Sequence, residues 1–144
     1  MRILEKDYIQ IRGFHNLKEN GEVTGFQFCL RTDYYRGLRL SQIRFGKVIV
    51  DGVEYKGDEV IWCINGVDYY PSDMAWLGDV FWHNQDLAVI KIRKPGGLEQ
   101  GYHDIEIRWA HIASYAPPQF DNDLDFDAPK PRRGEWPHKR LIIV

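Results

Sequence analysis

An all-β fold is predicted for this chain of 144 residues by three observations: helical periodicity is nearly absent, period-two alternation recurs in short runs, and the runs are separated by Asn-Gly, Asp-Gly and Pro-Gly signals. About seven short strands spaced in this way point to an antiparallel β-sandwich or jelly-roll-like single domain. The domain is expected over 1–118, followed by an extended C-terminal arm over 119–144 that packs on the domain or on a partner subunit.

Taken in order, Tyr8, Ile9 and Ile11 suggest a first strand, and the polar stretch 15–20 reads as a connection ending in the turn dipeptide Asn20-Gly21. Phe26, Phe28 and Leu30 then alternate with Gln27, Cys29 and Arg31, the signature of a strand with one buried face. Val48 and Val50 before Asp51-Gly52, with Val53 and Tyr55 after it, make a hairpin, because Asp-Gly readily takes the positive φ angles of a two-residue turn. Asn65-Gly66 repeats the device between an apolar run and Val67, Tyr69 and Tyr70, and Pro71 ends the pairing. The pattern breaks over 72–84, which fits a single helical turn or an apolar loop. Residues 87–94 are apolar on both faces, as in a sheet covered on both sides. After the Pro95-Gly96-Gly97 loop, Ile105, Ile107 and Trp109 face one way while Asp104, Glu106 and Arg108 face the other. From Ala116 the character changes, with Pro117-Pro118, four alternate aspartates, then Lys130, Arg132 and Arg133, and finally LIIV. Such polarity builds no core of its own, although 141–144 can pair as a last strand here or on a neighbour.

Hydrophobic residues make up 44% and aromatics 14%, which argues against disorder and for a packed or partner-covered aromatic surface. A formal charge of -2 with no basic face outside the tail argues against nucleic acid as the main partner. The charged, interrupted amino terminus is unlike a secretory signal, and no run approaches the roughly 20 apolar residues of a membrane span. A cytoplasmic, bacterial-type protein is the expectation. Cys29 and Cys63 lack metal spacing and read as buried free thiols.

Chemistry within the chain is poorly signalled. His103 and His111 share a strand face, yet eight residues of strand span about 26 Å, too far for one metal ion. His103 reads as a partly exposed polar residue and His111 as a strand end. Asp121, Asp123, Asp125 and Asp127 lack the central Gly and closing Glu of a calcium loop and read as a solvated stretch, or one that pairs with Lys130, Arg132 and Arg133. No nucleophile elbow, phosphate loop or Cys/His pair stands out. No catalytic, cofactor-binding or metal-ligating residue is assigned.

Partner contact is better signalled. Tyr34, Tyr35 and Arg36 place two aromatic bodies and a planar cation just before Gly37, where the chain can turn sharply. Such residues concentrate in interfaces, although tyrosines that cover a core edge beside a solvated arginine give the same pattern. The loop carrying Trp76, Phe81 and Trp82 admits three readings: anchors in a subunit interface, a cover for the core, or platforms that stack on sugar rings.

The run GFQFCLRTDYYRGLRLSQI, the KVIVDGVEY hairpin and the KPGGLEQGYHDIEIR segment, in that order, resemble the small (beta) subunit of bacterial C-glycoside deglycosidases. The resemblance covers most of 15–117 and stops at the acidic and basic extension after Pro118. It implies an all-β accessory subunit that joins a TIM-barrel-like alpha subunit holding a divalent metal, usually manganese. Together such subunits cleave the carbon–carbon bond between a 3-oxo-sugar and an aromatic, flavonoid-type aglycone. The metal and the general base are thereby implied on the partner, with this chain as a non-catalytic subunit that is inactive alone. The partner-contact candidates are Tyr34, Tyr35, Arg36, Trp76, Phe81 and Trp82. A stand-alone carbohydrate- or glycoside-binding β-sandwich is the alternative.

Overall fold

In the computed structural model, residues 5–112 and 124–144 are described. Three hairpins set the framework. At Asn20-Gly21, Asp51-Gly52 and Asn65-Gly66 both turn residues have φ between 50° and 83°, the type I′ geometry whose twist matches that of paired strands. These turns join β1 (His15–Glu19) to β2 (Glu22–Arg31), β4 (Ile43–Val50) to β5 (Val53–Lys56), and β6 (Val60–Ile64) to β7 (Val67–Tyr69).

One sheet has the order β1-β2-β9-β6-β7, with β9 (Leu87–Arg93) antiparallel to both β2 and β6. The other runs β11-β10-β4-β5, where β10 is Gly101–His111 and β11 is His138–Ile143. A two-stranded sheet pairs β3 (Leu38–Arg39) with β8 (Phe81–Trp82). The expected antiparallel all-β domain is therefore present. No helix among the described residues is long and apolar enough to cross a membrane.

The two main sheets share one core. Phe26, Phe28, Leu30, Ala88, Ile90, Ile92 and Trp62 come from the first, and Val48, Val50, Ile105, Ile107, Trp109 and Leu141 from the second. At its centre the Trp62 ring meets those of Trp82 and Trp109 at 5.9 and 5.8 Å in edge-to-face contact. The Trp62 Nε1–H is buried and has no hydrogen-bond acceptor among the described residues.

Two details differ from the sequence reading. The stretch 15–20 is strand β1, not a connection, because an edge strand with exposed flanks does not need alternating apolar residues. Conversely, Tyr8 and Ile11 are exposed, and only Ile9, 1% exposed, bridges to Leu30. Over 72–84 the chain forms a short helix α1 (Pro71–Met74), a loop, and β8.

The C-terminal segment lies against the second sheet. Gly46 is a bulge in β4, since Lys47 faces Arg108 while Phe45 faces Trp109. The bulge turns Lys47 outward while Val48 and Val50 still point into the core, and Phe126 packs directly on Gly46. Lys47 Nζ then bridges Glu54 and Asp127, 2.7 Å from each, and Arg108 Nη1 donates to the carbonyls of Phe126 and Ala128. Trp136 closes the strap, stacking near Phe126 and donating to Ala128 O. Asp127 thus pairs with Lys47, whereas Asp121 and Asp123, like residues 119–123 of the arm, lie outside the described residues. Beyond the strap, β11 adds the last strand to this domain's own sheet.

Candidate partner-contact site

The Tyr-Tyr-Arg-Gly corner is built by the end of β2. Thr32 Oγ1 accepts from the Tyr34 N–H at 3.1 Å, and the Gly37 N–H donates to Tyr34 O at 3.0 Å, which closes the turn. Gly37 has φ +76°, and a Cβ there would lie 2.6 Å from Trp82 O and 2.8 Å from the Phe81 ring, so only glycine fits. Asn84 Nδ2 donates to Tyr35 O at 2.7 Å. The corner is therefore fastened to β8 from both sides.

Each side chain of the corner has a distinct position. Tyr34 is half-buried against the core, with its ring 4.9 Å from that of His111. Tyr35 is 69% exposed, lies 5.2 Å from the Tyr34 ring, and carries the Arg36 guanidinium 5.2 Å over its own ring. That cation–π pair holds Arg36 against the surface.

The loop from α1 to β8 is anchored at both ends. Met74 is buried, Leu77 and Val80 pack on the core, Leu40 N donates to Val80 O, and Arg39 Nη1 donates to Gly78 O. Between these anchors Trp76 is 86% exposed. The three readings of this loop thus separate by residue. Trp82 is fully buried and belongs to the core, so it supports the corner from below rather than touching a partner. Phe81 is half-buried, pressed on Gly37 and 4.7 Å from the His83 ring. Trp76 alone of the three is presented to solvent, as an anchor or a stacking platform would be.

Sequence spacing gave no sign of the Asp33–His111 pair. Asp33 Oδ1 lies 3.1 Å from His111 Nδ1, tying the corner to the end of β10 across 78 positions of chain. An open cleft of about 930 Å³ runs beside it, lined by Tyr8, Asp33, Trp109, His111 and residues of the strap. A shallower hollow of about 590 Å³ on the outer face of the first sheet holds Arg12, Cys29, Cys63 and Val89. Neither cysteine is in a disulfide, both are buried, and burial pushes the thiol of Cys63 above its ordinary value. They flank Val89 on successive strands, so their Cα atoms stand about 10 Å apart, beyond disulfide reach. Among the described residues no three His, Cys, Asp or Glu side chains gather as metal ligands would.

Comparison with known proteins adds an independent line. A family model described as "C-glycoside deglycosidase beta subunit" matches residues 4–115. The "C-glycoside deglycosidase beta subunit" of Eubacterium cellulosolvens is 40% identical over 146 aligned positions, covering 98% of this chain and 99% of that protein.

Proposed function

Because this chain belongs to the C-glycoside deglycosidase beta subunit family, we propose that it is the accessory subunit of a hetero-oligomer, and that its partner is a TIM-barrel alpha subunit. The reaction proposed for the pair is cleavage of the bond between a 3-oxo-sugar and an aromatic aglycone of flavonoid type. A ketone at the sugar 3-position acidifies the neighbouring C2–H, and loss of that proton gives an enolate whose collapse forms a C1–C2 double bond as the C1–aryl bond breaks; the bond pair leaves with the aryl carbon, which takes up a proton. The base and the divalent metal, manganese, are assigned to the partner, and this chain is assigned no catalytic step. The working site of the complex is placed in the bacterial cytoplasm.

One observation carries the assembly reading. Trp76 is 86% exposed on a loop whose flanking residues are fixed in the core. A large rigid aromatic held in water loses little further entropy on burial and is a preferred interface anchor. Tyr35 and Arg36 supply a second anchor of the same kind. The test is to assay a 3-oxo-C-glucoside with this chain, with the alpha subunit, and with both. Activity that requires both chains supports the proposal, and full activity of the alpha subunit alone rejects the accessory role. The exposure of Trp76 also suits stacking on a sugar face, and saturable quenching of tryptophan fluorescence by a C-glucoside in the isolated chain, lost in Trp76→Ala, would favour that reading.

A further inference from the structure

His103, at the start of β10, meets oxygen acceptors at both ring nitrogens. Nδ1 lies 2.5 Å from Asp51 Oδ2 and Nε2 lies 2.7 Å from Glu99 O. A neutral imidazole has one N–H and satisfies one of these acceptors, whereas the imidazolium has two and satisfies both. The ring is largely enclosed, with its side chain 11% exposed, and the Phe14 ring stands edge-on at 6.3 Å.

These contacts join separate parts of the chain. Asp51 belongs to the β4–β5 turn and exchanges backbone and side-chain hydrogen bonds with Asp104: its N–H donates to Asp104 O, and its Oδ1 accepts from the Asp104 N–H. Glu99 follows the Pro95-Gly96-Gly97 turn, where Leu98 exchanges two hydrogen bonds of 2.9 Å with the Asn16 side chain of β1. A continuous path thus runs from the edge of one sheet through His103 to a hairpin tip of the other. We propose that doubly protonated His103 is a pH-released clasp that closes this end of the sandwich.

The surrounding charges favour the clasp. Asp51 from the hairpin turn and Glu99 from the preceding loop attract the imidazolium, and Asp104 on its own strand adds to them. Arg140 of β11 is the nearby opposing charge, and its guanidinium is held by both oxygens of Asp104. From the segment before β1, the Phe14 ring is the contact seen among the described residues. Burial alone lowers the proton affinity of His103, but the Asp51 and Glu99 oxygens outweigh it and hold the ring above its ordinary value of 6.5. A raised folded-state value means that the stabilisation is complete below about pH 6.5 and is lost as pH rises through the folded-state titration.

The test is nitrogen-15 NMR of the imidazoles in the full chain, with amide exchange followed over the same pH range and corrected for intrinsic rates. The expected result is two protonated ring nitrogens on His103 at pH 6.5, a midpoint above that value, and faster opening of the Asp104 amide as the ring deprotonates. In Asp51→Asn the midpoint should fall, with at least a tenfold loss of proton affinity. A single neutral tautomer at pH 6.5, or Asp104 protection that ignores the titration, would overturn the proposal. The wild-type measurement decides the matter even if the variant does not fold.

Discussion

Gly37 packs directly on the backbone of Trp82: a Cβ on Gly37 would sit 2.6 Å from the Trp82 carbonyl oxygen. That contact lets β3 lie on β8 and sets the exposed Tyr35 and Arg36 above a fully buried tryptophan. Gly37→Ala adds both this clash and a side chain at φ +76°. A loss of about 1–3 kcal/mol is expected from the strain, read as a lower urea midpoint at unchanged slope. On the proposed placement of the interface, binding to the partner subunit should weaken as well, because the corner above the glycine moves.

Trp82 and Trp76 are expected to behave oppositely although six positions separate them. Trp82→Ala removes a fully buried ring and should cost about 3–5 kcal/mol of folding stability. Trp76→Ala should change stability by no more than about 0.5 kcal/mol, as for other exposed positions. Its effect should fall on assembly, with partner affinity reduced about 30-fold or more, the loss of about 2 kcal/mol that marks an interface anchor. Thermal unfolding and titration calorimetry separate the two.

The strap over the second sheet should loosen in acid. Its Lys47 ammonium, by hydrogen bonding, holds the Asp127 and Glu54 carboxyls below their ordinary values of 3.8 and 4.5. Lowered folded-state values mean that this stabilisation is present above the ordinary values and is lost as pH falls through the folded ones. Trp136, 6% exposed where it closes the strap, provides the signal. Its fluorescence should change below about pH 4 before global unfolding, and Asp127→Asn should remove most of that early change.

Packing of Phe126 on the Gly46 bulge gives a second handle on the same strap. Gly46→Leu puts a side chain where the Phe126 ring lies, so the strap must lift. Limited proteolysis should then cut 124–136 faster than in the wild type while the core strands stay protected.

Much of the fold was legible because its hairpins are local. Asp51-Gly52 and Asn65-Gly66 each bring the whole turn signal within two residues; β10 alternates cleanly because one face of it is buried, whereas β2 sets Phe26, Phe28 and Leu30 on the core face and also buries Cys29 on the other. Strand β1 was missed because an edge position relaxes the alternation, and β3 and β8 because two residues carry no period. The Gly46 bulge shifts the inward parity between Phe45 and Val48, which the sequence alone does not mark. At the candidate site, residue type identified the aromatic corner and loop, but burial decided between Trp76 and Trp82, and burial depends on contacts distant in sequence. The Asp33–His111 and Lys47–Asp127 pairs were illegible for the same reason, being 78 and 80 positions apart.

The most direct measurement is size-exclusion chromatography of this chain mixed with the alpha subunit, for the wild type and for a folded Tyr35→Ala/Trp76→Ala double variant. Co-elution of the wild type, with the double variant eluting alone, is expected if the corner and loop face the partner. Equal co-elution of both forms would contradict the placement of the interface, and separate elution of the wild type would contradict the accessory-subunit function itself.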